Sequence, residues 1–175
     1  MDRVIRAINA VLGRAAGPGD ETQAEFDLVR EAFDQTGVGL TLISLEGEYL
    51  IVNRAFCELS GYPKEELVGR TFRMLTHPDD IAADEAALAA LRQAGTRPPV
   101  VEKRLLRSDG RTVWVRRNAG IMRDAAGVPR FVVGAFDDLT EQHARDRALK
   151  SANRYMSAII DTSPIAIYAT DLDGL

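Results

Sequence analysis

Apolar positions along the chain follow two periods. Val4, Ile8 and Val11–Leu12 share one helical face, and from about Thr22 onward Phe26, Val29 and Phe33 recur at i, i+3 and i+7. The spacing predicts two amphipathic helices. GRAAGPGD (13–20) separates them as a breaker-rich linker, and Gly37 ends the second. The period then changes. VGLTLIS (38–44) and EYLIVN (48–53) are β-rich runs joined by LEG, a hairpin pattern. From Arg54 to about Gln93 the pattern is helical, with breaks at SGYP (60–63) and near Gly69. Three more strands follow, VVEKRLLR (100–107), RTVWVRRNAGIM (111–122) and RFVVGAF (130–136), with SDG and DAAGVP as their turns. Two strands, several short helices and three strands predict an α+β domain, an antiparallel sheet with helices on one face.

A long helix is predicted after Asp138, with Thr140 or Asp138 available as its cap and Glu141 in its first turn. Leu149, Ala152, Met156 and Ile159 follow 3-4-3 spacing, which fits a short coiled-coil seam or a helix folded back on its own domain. At the end of the chain, IDTSPIAIYATDLDG (160–174) lies over FDQTGVGLTLISLEG (33–47), with Asp34/Asp161, Leu45/Leu172 and Gly47/Gly174 identical. This predicts the start of a second copy of the domain, in a fragment of a longer tandem protein. The expected division is an N-terminal helix and linker (1–20), a cap helix (21–36), the main domain (37–139), a linker helix (140–161) and the truncated second copy (162–175).

Composition narrows the function classes. With 175 residues, 46% of them apolar and 27% charged, the chain suits one globular domain plus flanking segments. A net charge of −4 argues against a nucleic-acid surface. No apolar run reaches the length of a membrane span. The N-terminal stretch is interrupted by Arg6, Asn9 and Arg14 and reads as an amphipathic helix rather than a signal peptide. A single cysteine, Cys57, cannot form an internal disulfide, and a reducing cytoplasm is the simplest setting.

Candidate chemistry is sparse. GRTFRMLTHPDD (69–80) holds one of two histidines, with Asp79 and Asp80 behind it. Pro78 and the two acids fit a helix start, and Thr76-x-x-Asp79 fits a capping box, better than a metal site. No nucleophile–base pair, phosphate loop or metal cluster stands out, so no enzyme is expected. Cys57 is read as a small hydrophobe.

Three stretches together resemble a PAS domain, the sensory module of bacterial signalling proteins. They are VNRAFCELSGYPKEELVGR (52–70), THPDD (76–80) and EKRLLRSDGRTVWVRRNAGIMRDAAGVPRFVVGAFDDLTE (102–141). The resemblance implies a five-stranded antiparallel sheet with short helices enclosing a pocket on one face, flanked by N-terminal and C-terminal amphipathic helices. The pocket residues it implies are Phe56, Phe72, Leu75, Leu88, Leu91, Leu105, Val115, Arg117 and Phe136. Alternation along RTVWVRRNAG places Val113, Val115, Arg117 and Ala119 on one face and Trp114, Arg116 and Asn118 on the other. The resemblance turns Val115 inward, so Arg117 leans inward too and needs a partner. An anionic ligand, an internal carboxylate and strand-end solvent are the three alternatives. Trp114, Phe131, Val133 and Ala135 make the other face apolar, and the Phe26/Val29/Phe33 helix is its natural cover.

The same segment resembles the Gly-Arg-Asn-Cys-Arg-Phe-Leu-Gln run of light-oxygen-voltage receptors, but Phe72 stands where their thiol stands. Arg73 matches a phosphate-binding position, whereas Thr76 departs from the glutamine. The flavin-binding amides of that subfamily fall on the apolar Leu105, Val115 and Phe136. Photoactive flavin is therefore disfavoured. Histidine-ligated haem is disfavoured as well, because IAADEAALAALRQAG (81–95) carries no histidine and His143 lies in the exit helix. No metal or cofactor is expected, and a non-covalent small ligand is left open. The resemblance further implies signal exit through Asp138, Leu139 and Thr140 and a homodimer through the cap and linker helices, with Phe26, Val29, Phe33, Leu149 and Met156 in contact. The downstream effector it implies is most readily a histidine kinase, then a diguanylate cyclase or phosphodiesterase. A ligand-free dimerisation scaffold is the competing class.

Overall fold

A computed structural model describes residues 28, 30–94, 100–124 and 126–162. They fall into two units divided between Leu139 and Thr140. Residues 30–35 are helical. Strands β1 (Gly39–Ile43) and β2 (Tyr49–Val52) form the first hairpin, followed by helices α1 (Arg54–Ser60) and α2 (Lys64–Leu67) and a 3₁₀ turn (Phe72–Met74). Helix α3 (Pro78–Ala94) leads to β3 (Val101–Leu106), β4 (Thr112–Arg123) and β5 (Pro129–Asp138). The second unit begins with α4 (Thr140–Thr162).

The five strands form one antiparallel sheet in the order β2-β1-β5-β4-β3. The N-terminal hairpin thus closes beside the last strand of the domain, and β5 is paired on both sides. At its middle, Gly134 faces Thr41 on β1 and Ala119 on β4. A Cβ there would lie 2.8 Å from Thr41 Oγ1 and 2.9 Å from Phe136 Cε2, so the close packing of Thr41 and Phe136 requires a glycine.

Local chemistry explains the helix boundaries. Asn53 caps α1 by accepting from Phe56 N–H at 2.9 Å, and Gly61 ends it in the left-handed region at φ 76°. Asn53 is fully buried and ties three segments together. Its Oδ1 accepts from Leu40 N–H at 2.8 Å, and its Nδ2 donates to Phe33 O, Thr36 Oγ1 and Val38 O at 2.9–3.0 Å. Pro78 opens α3, as the sequence predicts.

The expected capping box at Thr76 is not formed. Instead His77 Nδ1 accepts from Asp79 N–H at 3.4 Å. The preceding 3₁₀ turn draws Thr76 inward, where it bridges to Leu105 and is 1% exposed. The acids of the first turn also do more than complement the helix dipole. Asp80 takes both the backbone N–H (2.9 Å) and the guanidinium (2.6 and 3.1 Å) of Arg104, fixing the start of α3 to β3. Arg104 also lies 5.8 Å from the ring of Trp114.

Candidate functional site

The apolar residues expected around a pocket converge. Phe56 comes from α1, Phe72 and Leu75 from the 3₁₀ turn and the residue after it, Leu88 and Leu91 from α3, and Leu105, Val115 and Phe136 from β3, β4 and β5. All belong to one buried cluster on the helical side of the sheet. Phe56 stacks obliquely on Phe136 at 4.9 Å and on Tyr49 at 5.5 Å. Val115 is 0% and Leu105 1% exposed, so side chains fill the interior beside them.

Within this interior sits an ionic focus that sequence patterns only half revealed. Arg117 does turn inward, on the same face as Val113, Val115 and Ala119. Of the three alternatives for its partner, an internal carboxylate is present: Arg117 Nη1 lies 3.3 Å from Asp84 Oδ1 on α3. Asp84 is itself paired with Lys103 Nζ from β3, the residue opposite Val115. Thr76 completes the group. Its hydroxyl lies 3.1 Å from Asp84 Oδ2 and 3.0 Å from Phe72 O, and it accepts from Lys103 Nζ at 3.1 Å. Two cations and one carboxylate, with side chains 7%, 13% and 5% exposed for Lys103, Arg117 and Asp84, thus meet under the helix. Arg117 Nε is buried with no acceptor.

The electrostatics follow from burial. Desolvation pushes the Lys103 ammonium below its ordinary pKa, with Asp84 opposing and Arg117 adding to the shift. The Tyr49 phenol is pushed well up, first by burial and then by Asp84. The Asp80 carboxyl is held below the usual carboxylate range, chiefly by its hydrogen bonds from Arg104.

The remaining predicted residues are distributed as follows. Arg73 pairs with Glu85 at 2.6 Å on the surface, and Phe72 is buried beneath it. Cys57 lies half-buried on α1, and burial raises its thiol pKa. Trp114, Phe131 and Ala135 are half-buried and Val133 is exposed on the opposite face of the sheet. Phe33 is half-buried, while Phe26 and Val29 lie outside the described residues, as does the expected second domain start after 162. Leu139 is buried and its N–H donates to Trp114 O at 2.8 Å, closing the first unit. In the second unit Thr140 begins α4, on which Leu149, Tyr155 and Met156 are 62%, 74% and 63% exposed. Among the described residues no group of His, Cys, Asp and Glu is placed to hold a metal ion, and no helix is long and apolar enough to cross a membrane.

Asp84 and Lys103 were the residues sequence reasoning missed. One lies in an acid-rich helix and the other in a strand of mixed charges, so each reads as solvent-facing. The available signal was alternation: Lys103 and Leu105 share a face, as do Val113, Val115 and Arg117.

Comparison with known proteins agrees with this architecture. A family model described as PAS fold matches residues 49–136. The chain is 27% identical over 143 residues to the probable diguanylate cyclase DgcE of Escherichia coli (strain K12), covering 82% of this chain and 13% of that protein. It is 25% identical over 134 residues to the sensor histidine kinase TmoS of Ectopseudomonas mendocina, covering 77% and 14%. The chain therefore spans about a seventh of the length of these relatives. The PAS domain of a protein from Colwellia psychrerythraea shares the fold, with a TM-score of 0.61 at 23% identity, covering 67% of this chain and 98% of that one. Similar chains also include a light-oxygen-voltage protein and a blue-light-activated histidine kinase.

Proposed function

The chain belongs to the PAS fold family, and from that premise we propose that it is the non-catalytic input module of a larger cytoplasmic signalling protein, acting as a homodimer and passing its state through α4 to an effector in the same parent chain. A histidine kinase is the first choice of effector and a diguanylate cyclase or phosphodiesterase the second, in keeping with the relatives. The observation that carries the reading is α4 itself. It follows directly on β5 and presents Leu149 and Met156, one heptad apart, with Tyr155 beside them. Large apolar side chains left in water on one side of a helix are stabilised by a second helix, and a parallel copy of this chain supplies one.

The signal would pass from the sheet to Asp138, Leu139 and Thr140 and on into the helix. The interior lined by Phe56, Phe72, Leu75, Leu88, Leu91, Leu105, Val115, Arg117 and Phe136 is the proposed input. The reading carries no photoactive flavin, and two features support that. Leu105, Val115 and Phe136 offer no donor or acceptor to an isoalloxazine edge, and the phenyl ring of Phe72 cannot form a thiol adduct. A histidine-ligated haem has no ligand on α3, whose sequence PDDIAADEAALAALRQA lacks histidine.

A second reading, a scaffold whose core is filled by its own side chains, is favoured by the close burial of Leu105 and Val115. Sedimentation equilibrium over a concentration series tests the dimer. The wild-type chain is expected to self-associate, and Leu149→Lys with Met156→Lys to dissociate it while the domain unfolds at the same urea concentration. A chain monomeric throughout the series overturns the reading. Fusing the chain to a histidine-kinase core separates module from scaffold: substitutions at Leu139 are expected to change autophosphorylation without dissociating the dimer, and a scaffold would show no such change.

A further inference from the structure

Resting on the reading of this chain as an input module, we infer that the Asp84–Lys103–Arg117 cluster is an anion-binding point and that its ligand is a small monocarboxylate. The argument begins with charge. Lys103 and Arg117 bring two positive charges into the interior, and Asp84 brings one negative charge. Asp80, the preceding carboxylate on the same helix, is committed to Arg104. Buried charges need pairing, so the cluster is one negative charge short.

Geometry then selects the kind of anion. Asp84 occupies only Nη1 of Arg117, and the buried Nε has no acceptor. A neutral Lys103 would balance the charge yet leave Nε without one. On its Nε side a guanidinium presents two parallel N–H groups, which match the two oxygens of a planar carboxylate. A single carboxylate supplies the one missing charge, whereas a phosphate near neutral pH brings more than one. Along the sheet Arg117 is flanked by Val101 on β3 and Phe136 on β5, so the body of the ligand meets apolar side chains. Arg117 is also the most exposed of the three charged groups, which makes its side the approach.

The test uses the full chain with sodium propionate as probe, against propionamide and equal concentrations of sodium chloride. The Arg117 Nε–Hε resonance is followed by ¹⁵N NMR and the affinity by calorimetry. Saturable binding of propionate is expected, with a shift of that resonance, and propionamide and chloride are expected to be silent or far weaker. Arg117→Lys, which keeps the charge and removes the fork, should abolish the response. Asp84→Asn removes the internal anion and should tighten propionate by about tenfold or more. The inference is overturned if propionate acts no differently from chloride on the wild type, or if its effect survives in Arg117→Lys. Should Asp84→Asn fail to fold, the wild type and Arg117→Lys decide alone. A chain that self-associates but ignores propionate sinks this inference and leaves the linker-helix reading standing; a chain that binds propionate as a monomer does the reverse.

Discussion

Removing the side chain of Asn53 should unfasten the domain at the junction of β1, α1 and the helical segment before them. Asn53→Ala deletes two acceptor contacts, to Leu40 N–H (2.8 Å) and Phe56 N–H (2.9 Å), and three donor contacts, the shortest to Val38 O at 2.9 Å. Losing the helix cap costs about 1 kcal/mol. Leu40 N–H and Val38 C=O are only partly reached by water; the first loses its side-chain partner at about 1–2 kcal/mol, and the second, which keeps Thr36 Oγ1 at 3.1 Å, loses one of two at about 1 kcal/mol. Phe33 O and Thr36 Oγ1 lie nearer the surface, where water can substitute. The sum is about 3–4 kcal/mol, which for a domain of this size lowers the melting temperature by roughly 10–20 °C. Urea unfolding followed by the fluorescence of Trp114, the single tryptophan, reads the change directly. The midpoint should fall with little change in slope. Asn53→Asp sharpens the test. It keeps the acceptor but turns an oxygen toward the three groups that Nδ2 now satisfies, so it should be at least as damaging at neutral pH. Its deficit should shrink as the pH falls and the new carboxyl gains a proton. A loss below about 1 kcal/mol for Asn53→Ala, or a neutral Asn53→Asp, would refute the view that this one amide joins the three segments.

Three further outcomes are expected. Gly134→Ala places a methyl group 2.8 Å from Thr41 Oγ1 and should destabilise by about 1–3 kcal/mol in the same urea assay, with wild-type stability counting against the close packing of the sheet centre. Gly47→Ala combines a φ of +92° with a Cβ 2.6 Å from Phe72 and should cost about 2 kcal/mol or more; an unchanged melting temperature would show that the turn can rearrange. Because the Asp80 carboxyl titrates below its unfolded value of 3.8, its contribution is complete above that pH and is lost as the pH falls through the lowered value. Acid titration of stability should therefore show a component in that window that Asp80→Asn lacks, and equal acid profiles would place the effect elsewhere.

Strand positions were readable from the chain because β3, β4 and β5 alternate against one buried face and their turns carry glycine: Val113, Val115 and Ala119 turn inward as the period of two demands. Helix α3 announced itself through Pro78. What alternation could not supply was the crossing of α3 over β3 and β4, which is a matter of tertiary packing. That crossing alone converts Asp84 from one acid among several in PDDIAADEAA into the partner of both Lys103 and Arg117. Thr76 was misjudged for a related reason. As a helix cap it needed only its local sequence, but the 3₁₀ turn before it delivers the hydroxyl to Lys103 instead.

The place of β5 restricts how this protein can report a change. The strand has neighbours along both flanks, and a slip by one residue would break both ladders while exchanging the inward Phe136 for Ala135. Sliding is thus closed to β5. On the proposed exit at Asp138, a change would have to arise from bending or twisting of the sheet as a whole, so that flexural stiffness rather than strand displacement would set its strength.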